Sequence, residues 1–207
     1  MPAGRDGRAQ RSEATRRKLL DAGARLFSAQ GYEGTSLDAL TAEAGVNKAL
    51  VRYHFGGKRG LYNAVFLEGV QAGLALLEPV SASGAPAPER LAAFVSALGE
   101  LFAQRPHFAP LVVREWMTGG AHVEPEVMAQ FVRIFGVDRE ILEAGVRAGE
   151  LREHDAHATH LALVGSLVFF EITRPVREQR ADLTAPPPTP DAFRDVVRSI
   201  FLDGLAR

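Results

Sequence analysis

The sequence predicts an all-α fold of about nine helices. Apolar residues recur at three- and four-residue intervals along most of the chain, the spacing that lines one face of a helix. Alternating β-branched runs and Asn-Gly hairpin turns, the marks of paired strands, are nearly absent. Breaks rich in Gly and Pro cut the periodic stretches into segments of helical length.

The first residues, to about Glu13, are a basic and polar arm, expected to be disordered in the free protein. From Thr15, the residues Leu19, Leu20, Ala22, Ala24, Leu26 and Phe27 keep helical spacing up to QGYEG, where Gly31 can take the left-handed cap conformation. Thr35 precedes Asp38 at cap-box spacing, which opens a second helix over 36–44 with Leu37 and Leu40 inward. Gly45 permits a sharp turn and Val46 plugs the gap behind it. Asn47 then caps a third helix that runs to about Phe55. GGK breaks that helix, and a long one is expected over 58–78, followed by a linker at 79–88. Further helices are expected over 89–104, 108–118, 126–149, 157–179 and 191–206, with breaks at RPH, TGGAHVEP, GELREHD and TAPPPTP. Two domains follow from this reading, residues 1–60 and residues 61–207.

The 207 residues suffice to bury a real core, and 46% hydrophobic with 24% charged residues is an ordinary globular composition. The absence of Cys removes disulfides, thiolate nucleophiles and Cys-based zinc sites. The N-terminus has no apolar core of a secretory signal, and no apolar run reaches the roughly 20 residues of a membrane span, so a cytoplasmic protein without a membrane partner is expected. The net charge of −1 hides an asymmetry: residues 1–60 hold 11 Lys/Arg against 6 Asp/Glu, residues 61–207 hold 13 against 19. A basic third joined to an acidic remainder suggests that one end faces a polyanion.

The stretch TSLDALTAEAGVNKALVRYHFGGKRGLY carries the chemistry. A short helix, a Gly-containing turn and a second short helix form a helix-turn-helix, in which the first helix braces the backbone and the start of the second enters the major groove. Residues there must be short or able to donate hydrogen bonds, as Asn47, Lys48 and Ala49 are. Lys reaches the O6/N7 edge of guanine, and a small apolar group meets a thymine methyl. Leu50 suits a methyl contact and a core position equally well.

These residues resemble the N-terminal region of TetR/AcrR-type bacterial transcriptional regulators. The likeness covers about residues 15–66 and rests on the GYEGTS entry, the AGV turn, the YHF end of the recognition helix and the GGK step. The resemblance implies a homodimer with two DNA-binding heads on a pseudo-palindromic operator in double-stranded DNA, and a divergent helical body that binds a small-molecule effector. It implies base contacts at Lys48, Ala49 and Leu50, and phosphate contacts at Thr35, Ser36, Tyr53, His54 and Lys58. Arg52 departs from the family pattern, where Tyr is common, so operator sequence cannot be borrowed from a relative. Repression is the outcome the resemblance implies; a ligand-independent dimeric regulator is the alternative.

In the body, HLALVGSLVFFEI and DAFRDVVRSIFLDGL are apolar over more than one face, which suits a dimer seam as well as a core. Val164, Gly165, Ser166 and Leu167 fall at that expected seam. Phe108, Arg114, Trp116, Phe131, Phe135, Phe169 and Arg174 are the expected ligand-binding residues, a mostly apolar lining with Arg114 or Arg174 as polar anchor. Ordinary core packing accounts for each aromatic singly. His154, His157 and His160 invite a metal reading, but without a fourth ligand no metal site is assigned, and no cofactor is expected. No nucleophile elbow, phosphate-cradling glycine loop or strand scaffold supports an enzyme, and no catalytic residue is assigned.

Overall fold

The computed structural model describes residues 3–180, 182 and 186–205, with residues 3–6 described by their backbone alone. Met1 and Pro2 of the arm, Thr184 and Ala185 of the last break, and Ala206 lie outside the described residues. The described residues form ten helices and no strand: α1 (Ala3–Gly34), α2 (Leu37–Ala44), α3 (Lys48–Phe55), α4 (Lys58–Ala82), α5 (Ala87–Gln104), α6 (Phe108–Met117), α7 (Pro125–Ala148), α8 (Ala156–Ile172), α9 (Arg174–Gln179) and α10 (Pro190–Leu205).

Three boundaries differ from expectation, each for a physical reason. The basic arm is helical from Ala3, because it extends a helix already nucleated by the packed part of α1; along it the Arg11 guanidinium donates to the Gly7 carbonyl at 2.9 Å and Thr15 to that of Arg11 at 2.9 Å. The linker is shorter than 79–88, since α4 continues past Pro79 to Ala82. Proline there forfeits one backbone hydrogen bond, tolerable so near a helix end. The expected helix over 157–179 is two helices, α8 and α9, because Pro175 supplies no N–H to carry the ladder on, and this gives ten helices for nine. At Gly31 the chain takes φ 75°, ψ 177°, a positive φ as expected but extended rather than left-handed helical.

The chain divides into two compact units, Met1–Gly69 with Pro110–Met128, and Val70–Ala109 with Ala129–Arg207. The first therefore contains most of α6 and the loop after it, beyond residues 1–60. Its core is Leu19, Leu20, Phe27, Leu40, Val51, Leu61, Tyr62 and Phe66. Full burial of each such side chain stabilises by about 1.5–3 kcal/mol. Gly23 lets α1 lie against α4, since a Cβ there would stand 2.9 Å from Val65. The second unit is centred on Leu77, Leu91, Phe94, Leu101, Ile141, Leu142 and Leu163. Among the described residues α4 is the one helix long and apolar enough to cross a membrane by length and composition, contrary to the reading of the sequence, and half of that stretch is buried in the fold.

Candidate nucleic-acid interface

Local chemistry fixes the helix-turn-helix. Ser36 caps α2, its Oγ accepting the Ala39 N–H at 3.0 Å, and Asp38 sits in the first turn, where the helix dipole favours a carboxylate. The helix ends at Gly45 in the left-handed region (φ 65°, ψ 38°), and the Val46 N–H closes back onto the Thr41 carbonyl at 3.0 Å. Two residues later Asn47 caps α3 by accepting the Leu50 N–H at 3.2 Å. Val51, fully buried, pins α3 to the core, and Gly56 (φ 73°) ends it. The expected second and third helices are both present.

With Val51 inward, α3 turns Lys48, Ala49, Arg52 and Tyr53 to solvent, and Tyr53 is 77% exposed. Asn47 and Ser36 are exposed beside them, each carrying a cap bond; Leu50 and His54 are half-buried, with the Tyr53 and His54 rings edge to face at 5.0 Å. Arg52 has no acidic partner among the described residues. The Lys48 ammonium lies 2.5 Å from Asp38 of α2, so it is paired in the free protein. Thr35 does not join this face. It is 0% exposed and its hydroxyl donates to the Gly31 carbonyl at 2.7 Å, which makes it the internal brace of the α1–α2 corner rather than a phosphate ligand.

Lys58 opens α4 with its ammonium 4.1 Å from the centre of the Tyr32 ring, a cation–π contact that holds the charge at the helix start. Tyr32 stacks in turn on His122 at 4.4 Å and meets Tyr62 edge to face at 5.2 Å. Under these rings lies Glu115, 1% exposed. It accepts the Tyr62 hydroxyl at 2.7 Å, the His122 and Val123 backbone N–H groups at 2.7 and 3.0 Å, and makes a 3.1 Å bond with His122 Nδ1. Burial alone would push the Glu115 carboxyl up; these donors outweigh it and hold the carboxyl below its usual range. Burial, and then the carboxylate, push the Tyr62 hydroxyl well up. Asn63 clips the loop from both sides, donating to the His122 carbonyl at 3.0 Å and accepting the Glu124 N–H at 2.6 Å. Arg114 completes the attachment by donating to the Ser28 and Ala29 carbonyls at 2.7 and 2.6 Å, where the break at Gly31 leaves the end of α1 open. None of this was expected from the sequence; the only signal was the GY step that places Tyr32 after the helix-ending glycine.

The expected ligand residues are brought together in part. Phe108 and Phe131 are buried and meet edge to face at 6.3 Å, and Phe131 meets Phe135 at 4.7 Å. Arg114 belongs to the first unit, where its Nε and Nη2 are bonded to α1, and it is not brought together with the phenylalanine run. Trp116 belongs to the first unit and is half exposed. Phe169, 65% exposed on α8, faces solvent. Arg174 pairs with Glu171 and lines a different cavity of about 380 Å³ with Phe170, Arg177 and Arg194. Burial, and then Arg174, hold the Arg177 guanidinium below its usual range. Of the three histidines, His160 bonds Asp138 and His154 the Arg152 carbonyl. At the expected seam Leu167 is buried within its own chain, so it is core.

Known proteins share this arrangement. Residues 19–65 match the family model for bacterial regulatory proteins of the tetR family, and residues 84–170 match that of the tetracyclin repressor-like C-terminal domain. The HTH-type transcriptional repressor NicS of Pseudomonas putida is 29% identical over 167 residues, which cover 79% of this chain and 78% of NicS. The regulator AcrR of Shigella flexneri is 37% identical over 57 residues, 28% of this chain and 26% of AcrR. Among solved structures, the TetR family regulator PfmR from Thermus thermophilus superimposes with a TM-score of 0.69 at 26% identity, over 91% of this chain and 99% of PfmR. HlyIIR, a hemolysin II transcriptional regulator, does so with 0.70 at 25% identity, over 95% and 99%. With a capped helix-turn-helix whose second helix shows Lys, Arg and Tyr to solvent, and a helical body that matches a family model over residues 84–170, this chain belongs to the TetR family of DNA-binding transcriptional regulators, and it is not an enzyme.

Proposed function

We propose that this regulator is a homodimeric repressor that grips a pseudo-palindromic operator with α3 and lets go when a small, largely apolar effector enters its body. The observation that carries the DNA reading is the outward row Lys48, Ala49, Arg52 and Tyr53 on a helix anchored by Val51. Lys48 and Ala49 read base edges, Arg52 and Tyr53 meet the backbone or bases, and Lys58 and Ser36 hold phosphates at the flanks. Repression is supported by the likeness to NicS, itself a transcriptional repressor. The site of action is the cytoplasm, where bacterial DNA is.

Dimerisation is supported by an uncovered apolar row. Leu161, Gly165 and Phe169 follow one another at four-residue spacing on α8, as Val196 and Ile200 do on α10, and all five are exposed. A second copy related by a two-fold axis would cover the same row on both chains. The effector reading rests on the run Phe108, Phe131 and Phe135. Phe108 is the first residue of α6, and Arg114, near the other end of that ten-residue helix, holds the Ser28 and Ala29 carbonyls of α1. A molecule that shifts α6 therefore pulls on the head and changes the spacing of the two recognition helices, which must match about one DNA turn of 34–36 Å. The edge-to-face packing of the three rings favours a second reading, in which the body only dimerises. The test takes an operator selected from random DNA and screens small molecules for its release. Tight binding by a dimer, undone by one of them, supports the proposal, and a monomer at micromolar concentration refutes it.

A further inference from the structure

Within the second unit, Asp138 and His160 form a buried hydrogen-bonded pair. Asp138 on α7 is 0% exposed and His160 on α8 is 5% exposed, and both carboxylate oxygens lie within reach of the same ring nitrogen, Nδ1, at 2.9 and 2.8 Å. Such a pair contributes little to stability, because taking the charge out of water costs about as much as the pairing returns, and apolar residues would fill the space as well. What it does fix is orientation. A carboxylate only accepts, so Nδ1 carries the proton and the ring cannot turn. The other nitrogen, Nε2, meets no protein donor or acceptor among the described residues, and it is not sealed among the buried polar atoms. The His160 and Phe135 rings pack edge to face with their centres 4.9 Å apart, and Phe135 continues into Phe131 and Phe108. An aromatic run thus ends at a histidine whose Nδ1 is fixed and whose Nε2 has no protein partner among the described residues.

We propose that His160 Nε2 is the polar anchor for the effector, and that the effector is an apolar molecule bearing one weakly acidic O–H, a phenol or a carboxylic acid. The inference rests on the effector reading given above. The O–H suits this site because the pairing survives in either proton position. The ligand hydroxyl can donate to Nε2, or its O–H bond can break and the proton form an N–H bond at Nε2, leaving an oxyanion against an imidazolium that Asp138 already faces. The net charge enclosed, the −1 of Asp138, is the same in both cases, so moving the proton adds no further buried charge. A methyl ether or ester of the same body has no proton to give and leaves Nε2 unpaired. Asp138 acts through His160 as a positioning residue.

Matched probes test this on the full-length protein. Binding of 2-naphthol against 2-methoxynaphthalene, and of decanoic acid against methyl decanoate, is measured by calorimetry for wild type, His160→Gln and Asp138→Asn. Wild type is expected to prefer the O–H member of a pair by about tenfold or more, the size of one buried hydrogen bond. His160→Gln levels that preference, and Asp138→Asn reduces it. In wild type, the ¹⁵N resonance of His160 Nε2 should move with the O–H probe and stay still with its ether, a readout that needs no variant to fold. Equal affinity for both members, or binding of none of the four, overturns the assignment. Release of operator by some other molecule would then still uphold the wider effector reading, so the two fail separately.

Discussion

Replacing Glu115 by Gln removes a charge from beneath the α4 start while keeping the side-chain shape. The amide oxygen can still take the His122 and Val123 N–H groups that Oε1 accepts at 2.7 and 3.0 Å. The amide nitrogen cannot accept from the Tyr62 hydroxyl, which now donates at 2.7 Å, nor from His122 Nδ1. A hydrogen bond to a charged acceptor is worth about 1.5–3 kcal/mol and a stranded buried donor costs about 1–3, so a loss of roughly 2–4 kcal/mol is expected at neutral pH. The loss should depend on pH. The Glu115 carboxyl is held below its usual range in the folded protein, so its contribution is complete above the unfolded carboxylate value of about 4.3 and disappears as pH falls through the lower folded value. Trp116, the single tryptophan, neighbours Glu115 and reports unfolding of this unit by fluorescence. Urea titrations of both proteins at pH 7 and at successively lower pH measure the difference. A gap under about 0.5 kcal/mol at pH 7, or one that does not narrow in acid, would show that the carboxylate is not what holds this loop.

Six further substitutions have definite expected outcomes. Lys58→Ala should weaken all DNA sequences alike and flatten the salt dependence, whereas Lys48→Ala should cost about 1–3 kcal/mol on the operator and relax its specificity; equal losses on operator and random DNA would remove the base-reading role of Lys48. Tyr32→Leu keeps the apolar packing but removes the ring under the Lys58 ammonium, so it should imitate Lys58→Ala on DNA, and full affinity in that variant would mean the cation–π contact positions nothing. Phe169→Glu should give folded monomers in sedimentation with weak operator binding, because its side chain is already in solvent, while Leu167→Glu should unfold the body. Gly60→Ala should destabilise the head by about 1–3 kcal/mol or more, since its Cβ would stand 1.8 Å from the Phe55 carbonyl oxygen, and an unchanged melting temperature would contradict the tight α3–α4 joint.

The helix-turn-helix was legible because its determinants are local. Gly45, Asn47 and Gly56 act on groups within four residues of themselves, and a cap or a left-handed turn is written where it operates; the cap of α2 falls at Ser36, one residue after the expected Thr35. The apolar period of the remaining helices is local too, which is why their number was missed only at Pro175. The helical arm was not legible, since it extends the packed part of α1 and carries no apolar period of its own.

Thr35 and Arg114 show why the sites were read less well than the fold. A Thr beside a helix start is chemically able to bind phosphate, and only the path of the chain at Gly31 decides that its hydroxyl turns inward to that residue's carbonyl. Arg114 sits among aromatics in the sequence, the setting of a ligand anchor, yet its guanidinium ends on carbonyls 86 and 85 residues earlier in the chain. The same distance in sequence hides the attachment of Glu115 to Tyr62, 53 residues away. What composition marks is the capacity of a side chain to donate or accept; which partner it satisfies depends on where α1 opens and α4 begins. The residues that tie α6 to the head are therefore the ones that periodicity cannot reveal, and on the proposed mechanism they are also the ones through which an effector must act.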